Sequence, residues 1–303
     1  MRQLLPLLLL TLLGCSTTRY FDSGQQKFNA ANYRGAVADF DKALAADTTN
    51  WRYFLARGMS YYQLDQYDKA QPDLEKALAF GVPDMQLYTY LGGLQNTLGH
   101  HQEAKGYYER AVALDSLDSY ALNGLAWTYN NLNENALALK YFSKTLAVRP
   151  NDVGALNCRA VLYRKTGDYK SALQDYAQAL KLAPGSSDTY SNIGFLYLEQ
   201  DKLASALEYF NEALRLSPGH AYALTNRATC RLRMGTPAAA LTDVQAALQF
   251  NSQNGYAYMT RGKIYAALAQ PRASCRDFHS ADSLGLFGIY RTELDSLLHT
   301  CRR

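Results

Sequence analysis

The chain has 303 residues, 31 basic and 27 acidic side chains, a formal net charge of +4 and 48% hydrophobic residues. Its charges are scattered without runs, which argues against a nucleic-acid-binding or polybasic membrane surface. The five histidines form no metal-ligand or triad spacing and no glycine-rich phosphate loop is present, so neither a cofactor nor a metal nor an enzymatic activity is expected.

At the start of the chain, Arg2 precedes an apolar run from Leu4 to Leu13 that is too short to cross a bilayer as a stable helix. Residues 1–14 are expected to be a targeting segment. Leu12, Leu13, Gly14 and Cys15 resemble the lipobox of bacterial lipoproteins. That resemblance implies cleavage before Cys15 and acylation of its sulfur and new amino terminus; a plain signal peptide with an incidental cysteine is the alternative. Two or three acyl chains, at about 0.8 kcal/mol per buried methylene, would hold the chain at a membrane. Residues 15–18 then form a short lipid-anchored linker. No acidic cluster follows Cys15 and Ser16 does not resemble an inner-membrane retention signal, so the expected location is the outer membrane, facing the periplasm.

From there the chain repeats every 34 residues, with a small side chain at Ala36, Ala70, Ala104, Ala138, Ala172, Ala206, Ala240 and Ser274. Two further small series run in phase, one through Gly24, Gly58 and Gly92 and one through Ala43, Ala77 and Ala111. Large residues follow at spacings of three and four, as in Tyr61, Tyr129 and Tyr163 or Phe40, Leu74 and Tyr108, which is helical periodicity. Each unit predicts two antiparallel helices joined by a tight turn at Asp65, Gly99, Asn133, Gly167, Asp201 or Gly235. Pro150, Pro184 and Pro218 fall at the break between units.

This pattern resembles the tetratricopeptide repeat family. The resemblance implies an all-α fold, a right-handed α-solenoid of eight helix-turn-helix units over residues 19–288 with a capping helix over 289–303, and a binding groove on its inner surface.

Four units carry Arg just before the first small position, at Arg57, Arg159, Arg227 and Arg261, and each has an aspartate sixteen residues later, at Asp73, Asp175, Asp243 and Asp277. Units with Leu91, Leu125 or Ile193 there carry Tyr107, Tyr141 or Tyr209 instead, and the first unit has Ser23 and Asp39. The exchange of ion pair for apolar pair predicts contact between the two helices, so these charges are expected to be structural.

Near the end, Cys275 should face the last helix, where Tyr290, Leu294, Leu297, Leu298 and Cys301 form one stripe. A Cys275–Cys301 disulfide is expected, with a zinc site using His279 and His299 as the alternative, and Cys158 and Cys230 as free thiols. The groove implied by the family resemblance would be lined by Met59, Tyr62, Tyr120, Asn123, Trp127, Asn130, Asn157, Arg164, Asn192, Phe195, Leu198, Tyr222 and Asn226. Asparagines can satisfy an extended peptide backbone while Trp127 and Phe195 serve as apolar anchors. The Lys-x-x-x-Asn clamp with which some family members hold acidic carboxyl-terminal tails is missing. The expected function is a membrane-anchored, non-enzymatic scaffold binding a partner protein or extended peptide. The alternatives are a self-associating envelope protein, as a homo-oligomer, and an accessory subunit of an enzyme.

Overall fold

A computed structural model of the protein describes residues 4–285 and 289–301, with side chains from Thr17 onward except that of Ile289. The described residues form helices and no strand. They divide into two compact units, Met1–Pro150 and Asn151–Arg303.

Unit 1 contains α1 (Leu4–Asn29), α2 (Tyr33–Ala46), α3 (Trp51–Gln63), α4 (Tyr67–Ala79), α5 (Met85–Thr97), α6 (His101–Leu114), α7 (Ser119–Asn131) and α8 (Asn135–Val148). These form the hairpins α1/α2, α3/α4, α5/α6 and α7/α8, and each second helix packs against the first helix of the next hairpin. Unit 2 contains α9 (Val153–Lys165), α10 (Tyr169–Leu182), α11 (Ser187–Glu199), α12 (Leu203–Leu216), α13 (Ala221–Arg233), α14 (Pro237–Phe250), α15 (Gly255–Ala267), α16 (Pro271–Ser283) and α17 (Ile289–Thr300). It repeats the arrangement, and α17 packs on α16.

Small side chains set the helix spacing. Ala36, Ala70, Ala104, Ala138, Ala172, Ala206 and Ala240 are completely buried, and Phe40, Leu74, Phe142, Tyr176 and Phe210 fill the space between helices. At Gly194 the approach is so close that a methyl group would lie 2.7 Å from the Phe210 ring.

One turn geometry closes all the hairpins. The residues at 31, 65, 99, 133, 167, 201, 235 and 269 all have positive φ. The next amide in each donates to the carbonyl five residues back, as from Gln66 to Tyr61 at 3.0 Å and from Gln270 to Tyr265 at 2.8 Å, the 6→1 bond of a Schellman helix end. The sequence marks six of these positions with Gly, Asn or Asp, but Ala31 and Ala269 adopt the same conformation at φ 57° and 56°. The first helix of the later hairpins is capped by Asn50, Asp84, Asp118, Asp152, Ser186, His220 and Asn254, each accepting from a backbone amide of the first turn.

The arginine–aspartate pairs lie between the helices of their hairpins. Arg57 Nε and Nη2 each donate to Asp73 at 2.7 Å, and Arg159 makes the same fork on Asp175. Arg227 holds Asp243 at 2.9 and 2.8 Å, and Arg261 holds Asp277 at 2.6 and 2.8 Å. The aspartates are buried, so the fork supplies the partners that a desolvated carboxylate requires. In the first hairpin the Ser23 hydroxyl donates to Asp39 at 2.6 Å and Lys27 adds its ammonium at 2.5 Å. Leu91 with Tyr107, and Ile193 with Tyr209, pack within single apolar clusters.

At the end of unit 2, Cys275 and Cys301 form a disulfide with Cα atoms 5.5 Å apart. Leu294 is buried against Met259 and Phe278, flanked by Tyr290, Leu297 and Leu298. Both sulfurs are consumed by the bridge and His279 and His299 are exposed, so the zinc alternative is overturned. Cys158 and Cys230 are free; burial pushes the Cys158 thiol up to about 12, away from reactive thiolate.

At the other end, residues 15–18 are not an extended linker but part of α1, with no proline to interrupt the helix between Leu13 and Tyr20. The side chain of Cys15 lies outside the described residues. Among the described residues no helix is long and apolar enough to cross a membrane.

Candidate functional site

In unit 1 the exposed faces of α3, α5 and α7 enclose a cavity of about 770 Å³. Met59 and Tyr62 contribute from α3, Thr89, Tyr90 and Gly93 from α5, and Tyr120, Asn123, Gly124 and Trp127 from α7. Tyr108 closes the floor from α6. No Lys, Arg or His lines it, and the one carboxylate is Asp118, which caps α7 by accepting from Ala121 at 2.6 Å.

Two glycines in the lining make room for its aromatic walls. A methyl group at Gly93 would meet the Tyr62 hydroxyl at 2.8 Å, and one at Gly124 would meet the Tyr108 ring at 2.3 Å. In the 34-residue register Gly93 stands where other repeats have Met59, Trp127, Val161, Phe195, Thr229 and Lys263, and Gly124 stands where others have Ala56, Tyr90, Cys158 or Asn192. The aromatic rings lean into the space so vacated. Tyr62 meets Tyr90 edge-on with centroids 5.4 Å apart, and burial raises the Tyr108 and Tyr90 phenols above their ordinary range, keeping both neutral.

Polarity in the cavity is sparse and specific. Asn123 Oδ1 is buried with no hydrogen-bond partner. Such an atom forfeits about 1–3 kcal/mol unless something donates to it. Asn96 is already engaged, donating to Thr128 Oγ1 at 2.7 Å. At the mouth Trp127 is 44% exposed and Tyr120 is 69% exposed, two large apolar surfaces left to solvent.

Of the groove residues expected from the sequence, Met59, Tyr62, Tyr120, Asn123 and Trp127 come together in this cavity. Met59 is a wall rather than an open surface, being 7% exposed within an apolar cluster. Asn130 is half-buried outside the cavity. Gly93, which shares the repeat position of Met59 and Trp127, lines the cavity as its register implies, whereas Gly124, Tyr90 and Tyr108 line it without having been expected there; the signal for Gly124 was its singularity within its repeat position.

In unit 2 the corresponding face is occupied by its own side chains. The Arg164 guanidinium lies 4.7 Å over the Phe195 ring and pairs with Glu199. Asn157 Oδ1 accepts from Thr189 at 3.1 Å. Leu198, expected in the groove, is 2% exposed and packs with Ala206 and Phe210 of its own hairpin and Cys230 of the next; an apolar side chain there turns inward. Asn192 and Asn226 are half-buried and Tyr222 is 61% exposed. Among the described residues no group of three or more His, Cys, Asp or Glu side chains is arranged to hold a metal.

Comparison with known proteins assigns the repeats. Models described as Tetratricopeptide repeat match residues 55–119, 97–146, 153–219 and 193–256. Among solved structures, a tetratricopeptide repeat protein from Parabacteroides merdae ATCC 43184 is similar at 23% identity and a TM-score of 0.72, over 84% of this chain and 99% of that one. Yeast Tom70 is similar at 13% identity and a TM-score of 0.62, over 89% of this chain and 58% of its own. YrrB, described as a TPR protein with an unusual peptide-binding site, is similar at 22% identity and a TM-score of 0.53, over 61% of this chain and 95% of its own. At these identities the likeness is one of fold. No curated protein matches by sequence. With helical hairpins in strict register, the matched models spanning well over half of its length, and a fold shared with these structures, the chain belongs to the tetratricopeptide repeat family.

Proposed function

We propose that the protein is a non-enzymatic scaffold that holds an extended segment of a partner protein in unit 1, with one partner side chain seated in the cavity between α3, α5 and α7. The observation that carries this reading is the cavity itself: 770 Å³ of open, aromatic-walled space with the Asn123 amide in its wall. Such a site combines apolar anchors with one polar group that fixes orientation. Tetratricopeptide repeat proteins typically act as protein-binding scaffolds, which supports the same reading. Attachment to a bacterial envelope membrane through acylated Cys15 is part of the proposal and rests on the lipobox resemblance of Leu12–Cys15.

A photoreactive amino acid at position 120 of the full chain in native envelopes should capture one partner, and Trp127→Ala should abolish that capture with helical circular dichroism unchanged. Equal capture by the variant would reject the cavity as the site. For the anchor, Cys15→Ser should move the chain out of the membrane fraction; retention there would reject acylation.

A further inference from the structure

Unit 2 contains an internal example of what this face of the repeat accepts. Arg164 on α9 lays its guanidinium 4.7 Å over the Phe195 ring of α11 while Glu199 holds its outer edge. Two repeats back in the same register stand Asn96, Trp127 and Asn131, and all three line the unit 1 cavity. There the aromatic partner is larger, an indole with a stronger quadrupole than a phenyl ring, and the arginine is replaced by a short amide already bound to Thr128. The platform is present and its cation is supplied by no residue of the cavity wall.

We propose that the unit 1 cavity takes a guanidinium, the side chain of an arginine presented by the bound partner segment. This inference rests on the reading of the cavity as a partner site and specifies its ligand. Charge complementarity favours the same occupant. Ring faces and the Asp118 carboxylate in the lining both attract positive charge. An acidic side chain would enter a pocket with no cation to receive it. A phenyl ring would fill the volume yet bring no positive charge to the Asp118 carboxylate. Guanidinium is planar, stacks on aromatic faces and carries five donors at its edge, so it suits ring faces and a carboxylate at once; a lysine ammonium cannot stack in this way.

The test uses the full chain in detergent micelles and four acetylated, amidated pentapeptides, Gly-Ser-Xaa-Ser-Gly, with arginine, citrulline, phenylalanine or glutamate at the centre. The readout is the indole N–H resonance of Trp127, with Trp51 as internal reference. The arginine peptide is expected to shift Trp127 alone, to bind about ten-fold or more tightly than its uncharged isostere citrulline, and to weaken with added salt. Gly93→Val, which copies Val161 of another repeat, should abolish the shift with the fold intact. Equal or tighter binding of citrulline, phenylalanine or glutamate at Trp127 would overturn the guanidinium assignment and leave the cavity reading standing. No movement of Trp127 with any peptide at millimolar concentration would overturn both.

Discussion

In unit 1 the seam between paired helices is charged in the first two hairpins, through Lys27 with Asp39 and Arg57 with Asp73, but apolar in α5/α6, through Leu91 with Tyr107, and α7/α8 carries Leu125 and Tyr141 at the same positions. In unit 2 the charged solution dominates, with Arg159–Asp175, Arg227–Asp243 and Arg261–Asp277 against the single apolar couple Ile193 and Tyr209. Their first-helix faces differ in the same sense. Unit 1 presents an open aromatic cavity without a cation, while in unit 2 Arg164 covers Phe195. One backbone frame therefore tolerates either chemistry at the same position, provided that a charge and its counter-charge arrive together.

The sharpest way to break that comparison is to convert one seam into the other. Arg159→Leu leaves Asp175 buried without its fork and should destabilise unit 2 by about 3 kcal/mol in urea denaturation. Adding Asp175→Tyr, which copies the Leu125 and Tyr141 couple, should recover most of the loss. A double variant as unstable as the single one would show that the two seams are not interchangeable.

A smaller effect separates a glycine against which an aromatic wall packs from one with open space beside it. Gly124→Ala pushes a methyl group to 2.3 Å from Tyr108 and should cost about 1–3 kcal/mol by overpacking. Gly106→Ala, on α6 with open space around its Cβ, should instead stabilise by about 0.5–1 kcal/mol through helix propensity alone. Thermal melts of the two variants should move in opposite directions.

The turns offer a matched pair, one in each unit. Ala31→Gly and Ala269→Gly should each stabilise by about 0.5–1 kcal/mol, since both alanines occupy the left-handed region that glycine adopts without a Cβ penalty. Equal chemical-denaturation midpoints for variant and parent would show that the strain is relieved elsewhere.

Least visible at neutral pH is the first seam. Hydrogen bonds from Lys27 and then Ser23 hold the Asp39 carboxyl down to about 2. A lowered folded-state value means that its contribution is complete above the ordinary carboxylate range near 4 and is lost as pH falls towards 2. Asp39→Asn should flatten that part of the stability profile. An unchanged acid slope would show that Asp39 does not set it.

The frame was legible because it depends on local periodicity. A 34-residue recurrence of small residues dictates where helices touch, and the correlated Arg/Asp and Leu/Tyr exchanges identify a contact between helices without any coordinates. Two turns escaped because Ala31 and Ala269 carry no αL signature and follow the geometry that their neighbouring hairpins impose. The capping series from Asn50 to Asn254 stands in the same register. The cavity was harder to see. Its walls include expected residues such as Trp127 and Asn123, yet its existence depends on missing side chains at Gly93 and Gly124 and on how Tyr62 and Tyr108 lean into the gap. Periodicity marks what recurs, whereas this cavity is the place where recurrence lapses. Leu198 failed for a related reason: its register position matches Tyr62 and Arg164, but its own chemistry sends it inward.

The αL turn closed by the same backbone bond in every hairpin has a consequence for the inheritance of the array. Because joints are alike on both sides, excision or duplication of an in-phase 34-residue block rejoins helix to helix with every side chain in its former register. A gene encoding such a chain can lengthen, shorten or shuffle its modules by recombination without a new fold being invented. Specificity is then edited inside a module by one or two codons, as glycine codons at 93 and 124 leave room into which Tyr62 and Tyr108 lean.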